Sequence, residues 1–334
     1  MLSESGVAMK RRHFLGLVGG TAVWSAAARA QQTHPRLAHV AYLGPSAPSI
    51  LDPRQIEQFK VGLIENDLIV GKNVTVEYFW AEGNLNRLKD LATELAGRDF
   101  DVIVTVGEQS FRFLKAAQTK SPIVLAVIGD IVADGIVDSL ARPTGNVTGL
   151  SMSDKDLEGK RIEILKEAVP TVTRLMIVHD PSAATSKLAE ARTAASRLGI
   201  ETFVYETADP SDFNEAFAKA SGAGVNGLAV TASSILNRHR RLLIELAERN
   251  RLPSIWEASI YVRDGGLISY GPSFADMYRR SASYVAKIIN GAKPEDLPIQ
   301  LPIKFELFVN SRTANTLGVV LSPTLLARAD EVIE

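Results

Sequence analysis

Short apolar runs alternate along this chain with segments whose apolar residues return every three or four positions. Leu37 to Leu43, Val74 to Trp80, Val102 to Val106 and Ile123 to Ile128 are short runs rich in apolar residues, which predicts strands, most of them buried on two faces. Between them, Gln55 to Glu65, Leu85 to Ala96 and Phe111 to Ala117 carry the spacing of helices with one buried face. A second series repeats the alternation, with strands at Leu175 to Val178, Thr202 to Tyr205, Gly227 to Thr231 and Ser254 to Trp256. Its helices are Lys187 to Leu198, Asp212 to Ala220 and Arg240 to Arg249. Strands between helices predict an α/β protein of doubly wound parallel sheets, and two series predict two such lobes.

Three breaks interrupt this pattern. Arg142 to Gly149 is turn-rich and separates the two series, so it is where a first crossing between lobes is expected. Gly265-Gly266 through Gly271-Pro272 forms a second break, and Pro294 to Pro302, with three prolines, forms a third. A simple linker needs one crossing, whereas three interleave the lobes as a hinged pair. On this division residues 35–148 and 271–301 make lobe one, and residues 149–270 and 302–334 make lobe two. After the third break come a strand at Lys304 to Val309 and two short helical pieces, the last ending in Leu325 to Ile333.

The N-terminus has a different grammar. Lys10, Arg11 and Arg12 precede an apolar stretch from Phe14 to Trp24, and Ala28-Arg29-Ala30 follows. That is the order of an export signal cleaved near Ala30, over residues 1–30. The run is shorter than the ~20 residues of a bilayer span. The paired arginines before Phe14 and Leu15 also fit a twin-arginine signal for folded cargo. No later stretch is long and apolar enough to span, so the mature protein is expected to be periplasmic, free of the membrane, and monomeric.

The 334 residues carry 37 Lys and Arg against 38 Asp and Glu, a formal net charge of −1. Removing residues 1–30 takes away Glu4 and the cations Lys10, Arg11, Arg12 and Arg29, which brings the net charge to −4. Neither value suits a nucleic-acid partner. The sequence contains 0 Cys, which excludes disulfides, thiolate metal sites, cysteine nucleophiles and a lipid-bearing N-terminal cysteine. There is no P-loop pattern and no glycine-rich dinucleotide turn after the first strand. Gly149-Leu150-Ser151-Met152-Ser153 lacks the second glycine of a nucleophile elbow. His34, His39, His179 and His239 are scattered without metal-ligand spacing, so no cofactor or metal is expected.

Open parallel sheets bind ligands outside the carboxyl ends of their strands, where helix N-termini present free N–H groups. Those ends carry Ser46, Gln109 and Ser233 as neutral hydrogen-bonding groups. They also carry Glu82, Asp130, Asp180 and Glu257 as carboxylates able to pair with an ammonium, and Trp80 with Tyr270 as aromatic walls. Each also has a plainer role open to it, since Ser and Asp cap helices and tryptophans fill cores.

Several segments carry a resemblance by their order and spacing. They are Arg11-Arg12-His13-Phe14, Tyr78-Phe79-Trp80-Ala81-Glu82-Gly83, Arg142 to Gly149, Gly265 to Gly271, Gly291 to Pro298 and Leu326 to Glu334. In these the chain resembles the substrate-binding proteins of ABC transporters with a type I periplasmic-binding fold, in the branch that includes tryptophan- and phenylalanine-binding proteins. The resemblance implies two α/β lobes joined by three hinge crossovers, with one small ligand between them. It implies no catalysis, and a partner permease driven by a separate ATPase subunit. Glu108-Gln109 stand where the resembling sequences commonly carry glycine or threonine. The expected ligand is a small polar solute, an amino acid or a related amide or carboxylate. A sensory module serving a membrane receptor, and more remotely a secreted enzyme, are the rival readings of the same scaffold.

Overall fold

The computed structural model describes residues 37–132, 135–152, 157–207 and 209–334; the expected export signal lies outside the described residues. The first sheet is built from β1 (Ala38–Gly44), α1 (Pro53–Glu65), β2 (Val74–Trp80), α2 (Leu85–Ala96), β3 (Val102–Val106), α3 (Glu108–Ala116), β4 (Ile123–Ile128) and β5 (Val147–Ser151). Its strands run parallel in the order β2-β1-β3-β4-β5. The second group begins with α4 (Leu157–Ala168), β6 (Arg174–His179), α5 (Thr185–Arg197), β7 (Glu201–Glu206), α6 (Phe213–Gly222) and β8 (Gly227–Val230). It continues through α7 (Ser234–Arg238), α8 (Arg240–Arg249), β9 (Ser254–Trp256), α9 (Ser259–Arg263) and β10 (Ile268–Pro272). The chain then forms α10 (Phe274–Ile289), β11 (Phe305–Asn310), α11 (Ser311–Leu317), α12 (Pro323–Arg328) and β12 (Glu331–Ile333). The second sheet has the order β12-β11-β10-β9-β8-β6-β7.

Every residue of β3 and β4 is buried, as a parallel sheet covered on both faces requires. Val40, Tyr42 and Val104 pack toward Phe59 and Leu63 of α1 and Met277 and Val285 of α10. The alternate residues Ala41, Leu43 and Ile103 pack toward Leu88, Leu95, Phe111 and Leu114 on the opposite face. The second sheet is sandwiched the same way, with Ile177 and Val309 on one side and Met176 and Val178 on the other. Asp52 caps α1 by accepting from the Arg54 N–H, ahead of Pro53 at the first helical position. α1 and α10 approach so closely at Gly62 that a Cβ there would lie 2.2 Å from the Arg279 carbonyl oxygen.

The chain passes between the sheets three times: after β5, after β10, and through residues 297–304. These passages lie side by side. The Ser151 N–H donates to the Gln300 carbonyl at 3.0 Å, and the Gln300 N–H to the Gly149 carbonyl at 3.0 Å. The Ser273 N–H donates to the Lys304 carbonyl at 2.9 Å.

Four details differ from the sequence expectation. The break at Arg142 to Gly149 ends in β5, the fifth strand of the first sheet, so the chain leaves that sheet after Ser151. Gly271 and Pro272, expected in a break, belong to β10 of the second sheet. The second sheet is not wholly parallel: the chain leaves it at the end of β10 and re-enters at the same edge through β11, so those two strands run antiparallel. Glu331–Ile333, expected as a helical end, pairs with β11 as a strand. Four α-helices, α4, α7, α9 and α10, were absent from the pattern reading.

Candidate functional site

The carboxyl ends of the strands hold three groupings. The first is aromatic. Trp80, the last residue of β2, stacks on Tyr78 with ring centres 6.0 Å apart and planes 5° apart, and leans on Tyr42 at 5.2 Å. Tyr42 itself is fully buried, and its hydroxyl meets that of Tyr278 at 3.0 Å. Burial pushes the Tyr42 phenol well up, and likewise that of Tyr278 to about 12. Tyr42 is therefore floor, while Trp80, half-buried, is the rim.

The second grouping closes a loop. Asp180, buried after β6, accepts the Ser182 N–H at 2.8 Å, the Ser182 hydroxyl at 2.7 Å and the Ser233 hydroxyl at 2.5 Å. Ser233 in turn caps α7, accepting from the Ile235 and Leu236 N–H groups. Burial works to raise the Asp180 pKa, but the hydrogen bonds from Ser182 and Ser233 hold it below the usual carboxylate range. Both carboxylate oxygens are thus engaged inside the lobe. Buried carboxylates need donors, and these serines supply them.

The third grouping was not legible as a cluster. Arg161 of α4, 4% exposed, donates through Nε to the Tyr270 carbonyl at 2.7 Å. Its Nη1 lies 2.9 Å from Glu158 Oε1, without hydrogen-bond alignment. Glu158 Oε1 also accepts the Ala232 N–H at 3.1 Å, and Lys187 Nζ donates to the Ala232 carbonyl at 2.9 Å. Glu257 follows β9 at the same edge, with the Tyr261 hydroxyl donating to its Oε1 at 3.4 Å. Burial of the Glu257 carboxyl pushes its pKa up, against the opposing pull of Arg161 and then Lys187. Gly271 is pressed on the Glu257 backbone: a Cβ there would fall 1.9 Å from the Glu257 carbonyl oxygen. Tyr270 stacks its ring on Phe305 across β10 and β11, with centres 6.1 Å apart.

The remaining expected residues stand apart. Ser46 is half-buried in the loop after β1, and Gln109 is exposed on the first turn of α3. Asp130 is half-buried after β4, and its Oδ1 accepts the Val132 N–H at 3.2 Å. Glu82 is exposed, in a left-handed turn with φ 55°, and its carboxylate lies 3.6 Å from Arg87 Nη1. That pairing turns Glu82 toward α2. Trp256, the last residue of β9 and not one of the expected site residues, is fully buried, stacked on Tyr261 at 4.9 Å, and donates to the Ser254 hydroxyl. Among the described residues no helix is long and apolar enough to cross a membrane.

Residues 47–333 match a sequence family described as ABC transporter substrate binding protein. A tyrosine-binding protein of Clostridioides difficile strain R20291 is 21% identical over 251 residues, 75% of this chain and 72% of that one. A conserved domain protein from Vibrio cholerae superposes with a TM-score of 0.79 at 25% identity, covering 89% of this chain and 100% of that one. The ABC domain from Streptococcus pneumonia in complex with L-Trp gives 0.79 at 20% identity, covering 89% and 99%.

Proposed function

Because the chain belongs to the ABC transporter substrate-binding proteins, we propose that it captures an amino acid, or a related amide or carboxylate, between its lobes and delivers it to a membrane permease. The permease takes its energy from a separate ATPase subunit. The mature protein begins near Gln31, works as a monomer in the periplasm, and follows ligand contacts to both lobes into closure. The observation that carries this reading is the lobe-two strand-end cluster, where opposite charges from Arg161 and Glu257 sit at one sheet edge beside the hinge strand. Such a pair suits a solute bearing both signs of charge. Trp80 on the other lobe supplies an apolar wall. Asp130 is the second proposed charge-pairing group, and Ser46 and Gln109 are proposed to contribute hydrogen bonds.

The experiment is a thermal-shift screen of residues 31–334 against L-amino acids, amides, carboxylates and purines. At a hundred times Kd a ligand stabilises by about 2.7 kcal/mol, which for a chain this size is a rise in Tm of roughly 5 °C. A shift confined to purines removes the amino-acid reading, and flat curves across all four classes remove the capture reading.

A further inference from the structure

A second polar cluster bridges the lobes on the flank of the hinge. Its lobe-one half is the start of α1. Arg54 forks onto Asp52, with Nε donating to Oδ2 at 3.0 Å and Nη2 to the same oxygen at 2.6 Å. Its lobe-two half is Ser259 at the start of α9, Arg263 at the end of α9, Phe308 of β11 and Glu331 of β12. Arg54 Nη2 donates across to the Ser259 hydroxyl at 3.0 Å, and Nη1 lies 3.8 Å from Glu331 Oε2. In the reverse direction Arg263 Nε lies 3.9 Å from Asp52 Oδ2, while its Nη2 donates to Glu331 at 2.6 Å. Both guanidinium groups rest over the Phe308 ring, at 5.4 Å and 5.5 Å from its centre. A cavity of about 10 Å³, the scale of one water, lies beside them against Gln55, Ser259 and Glu306.

We propose that Arg54 and Arg263, alternating with Asp52 and Glu331 over Phe308, form a latch that holds the lobes in the arrangement seen here and so sets the free energy of closure. Each arginine faces an acid on the other lobe, so the attraction is lost when the lobes separate. Two cations meet two anions, Glu306 of β11 adds a further attraction on Arg54, and the shared ring gives both guanidinium groups an apolar seat. Arg54, Arg263 and Glu331 remain about one-third exposed, so salt weakens the latch. An affinity that depends on closure falls with the closed fraction. The latch bears on solute capture only through the proposed function, but lobe separation is measurable with no ligand present, so failure of one leaves the other standing.

The chain has 0 Cys, so Lys89→Cys on α2 and Ser221→Cys on α6 place two spin labels on opposite lobes. Double electron–electron resonance on ligand-free protein then reads their separation in about 0.05 M and about 0.5 M NaCl, ionic strengths that bracket the screening range. Arg54→Ala raises the ratio of separated to latched molecules about five-fold, the scale of one modest contact. High salt moves the parent in the same direction and moves the variant less, because only the Arg263–Asp52 contact is left to screen. Ser259→Ala with Glu331→Gln removes the lobe-two partners while sparing the Asp52 fork, and produces the same displacement if Arg54→Ala does not fold. Identical distance distributions in the parent and the Ser259→Ala, Glu331→Gln protein, or a shift toward shorter distances, overturn the latch.

Discussion

Arg161→Ala removes a cation buried between Glu158 and the hinge strand, and its cost can be worked from the contacts. Breaking a buried ion pair by deleting one partner costs about 3–5 kcal/mol. Losing the hydrogen bond to the Tyr270 carbonyl adds about 1 kcal/mol. The Glu158 contact is close but misaligned, which places the total near the lower end, about 3 kcal/mol. For a protein this long that is a fall in Tm of roughly 5 °C. Urea unfolding followed by circular dichroism gives the same quantity as a lower midpoint at constant slope. The informative comparison is Arg161→Met with Glu158→Gln, which removes both charges but keeps an acceptor for the Ala232 N–H. It recovers stability to within about 1 kcal/mol of the parent. The pH profile gives a second check. The Glu257 pKa is already raised by burial, so its contribution is full at acidic pH and is lost as pH rises through the folded value. Arg161 is the largest charge opposing that rise, so the Arg161→Ala penalty grows as pH rises above the ordinary carboxylate range. A penalty under about 1 kcal/mol, or a double variant no better than the single one, refutes the reasoning.

Three other outcomes follow from the geometry. Gly62→Ala, good for helix propensity in isolation, destabilises by about 1–3 kcal/mol because the new methyl meets the Arg279 carbonyl at 2.2 Å and the Ala282 methyl at 2.9 Å; calorimetry that finds the variant more stable removes the close-approach argument. Asp180→Asn costs about 1 kcal/mol at neutral pH. Because the Asp180 pKa is lowered, its contribution is present above the ordinary carboxylate value and lost as pH falls through the folded one. The deficit therefore shrinks below about pH 4, and urea titrations showing one constant deficit across that range contradict the assignment. Asp130→Ala and Glu257→Ala each weaken by about ten-fold, or 1.4 kcal/mol, the binding of a zwitterionic amino acid from the screen; isothermal titration with both affinities unaltered discards the charge pairing.

Strand periodicity was read well where burial is two-sided. β3, β4 and β9 begin and end where the apolar runs do, because strands buried on both faces have few polar positions to blur their limits. β5 and β10 were missed for the opposite reason. Val147-Thr148-Gly149 and Ser269-Tyr270-Gly271 carry the small and polar residues that let crossing strands lie against one another, and those residues read as turns. α4 was hidden by its buried face, which includes Glu158 and Arg161 beside Ile162 and Leu165. Charges on the inner face break the apolar stripe that marks a helix.

The same break in pattern explains why the strand-end site was only half legible. Single residues at strand ends could be named from sheet topology alone: Trp80 ends β2 and Glu257 follows β9, whereas Tyr270 lies in the middle of β10. What the rule cannot supply is which polar groups find partners within their own lobe. Asp180 and Ser233 are 53 positions apart and satisfy each other. Arg161 and the Tyr270 carbonyl, 109 apart, do the same. A signal for Arg161 existed in retrospect: a charged pair one helical turn apart on a face otherwise apolar, in the first helix after a crossing. Burying such a pair costs more than a leucine would, and the position of Arg161 against the β10 carbonyl says what that cost maintains. It ties the second crossing to the edge that carries Glu257. Since Gly271 presses on the Glu257 backbone in the next residue along, any displacement of that crossing must move the carboxyl as well.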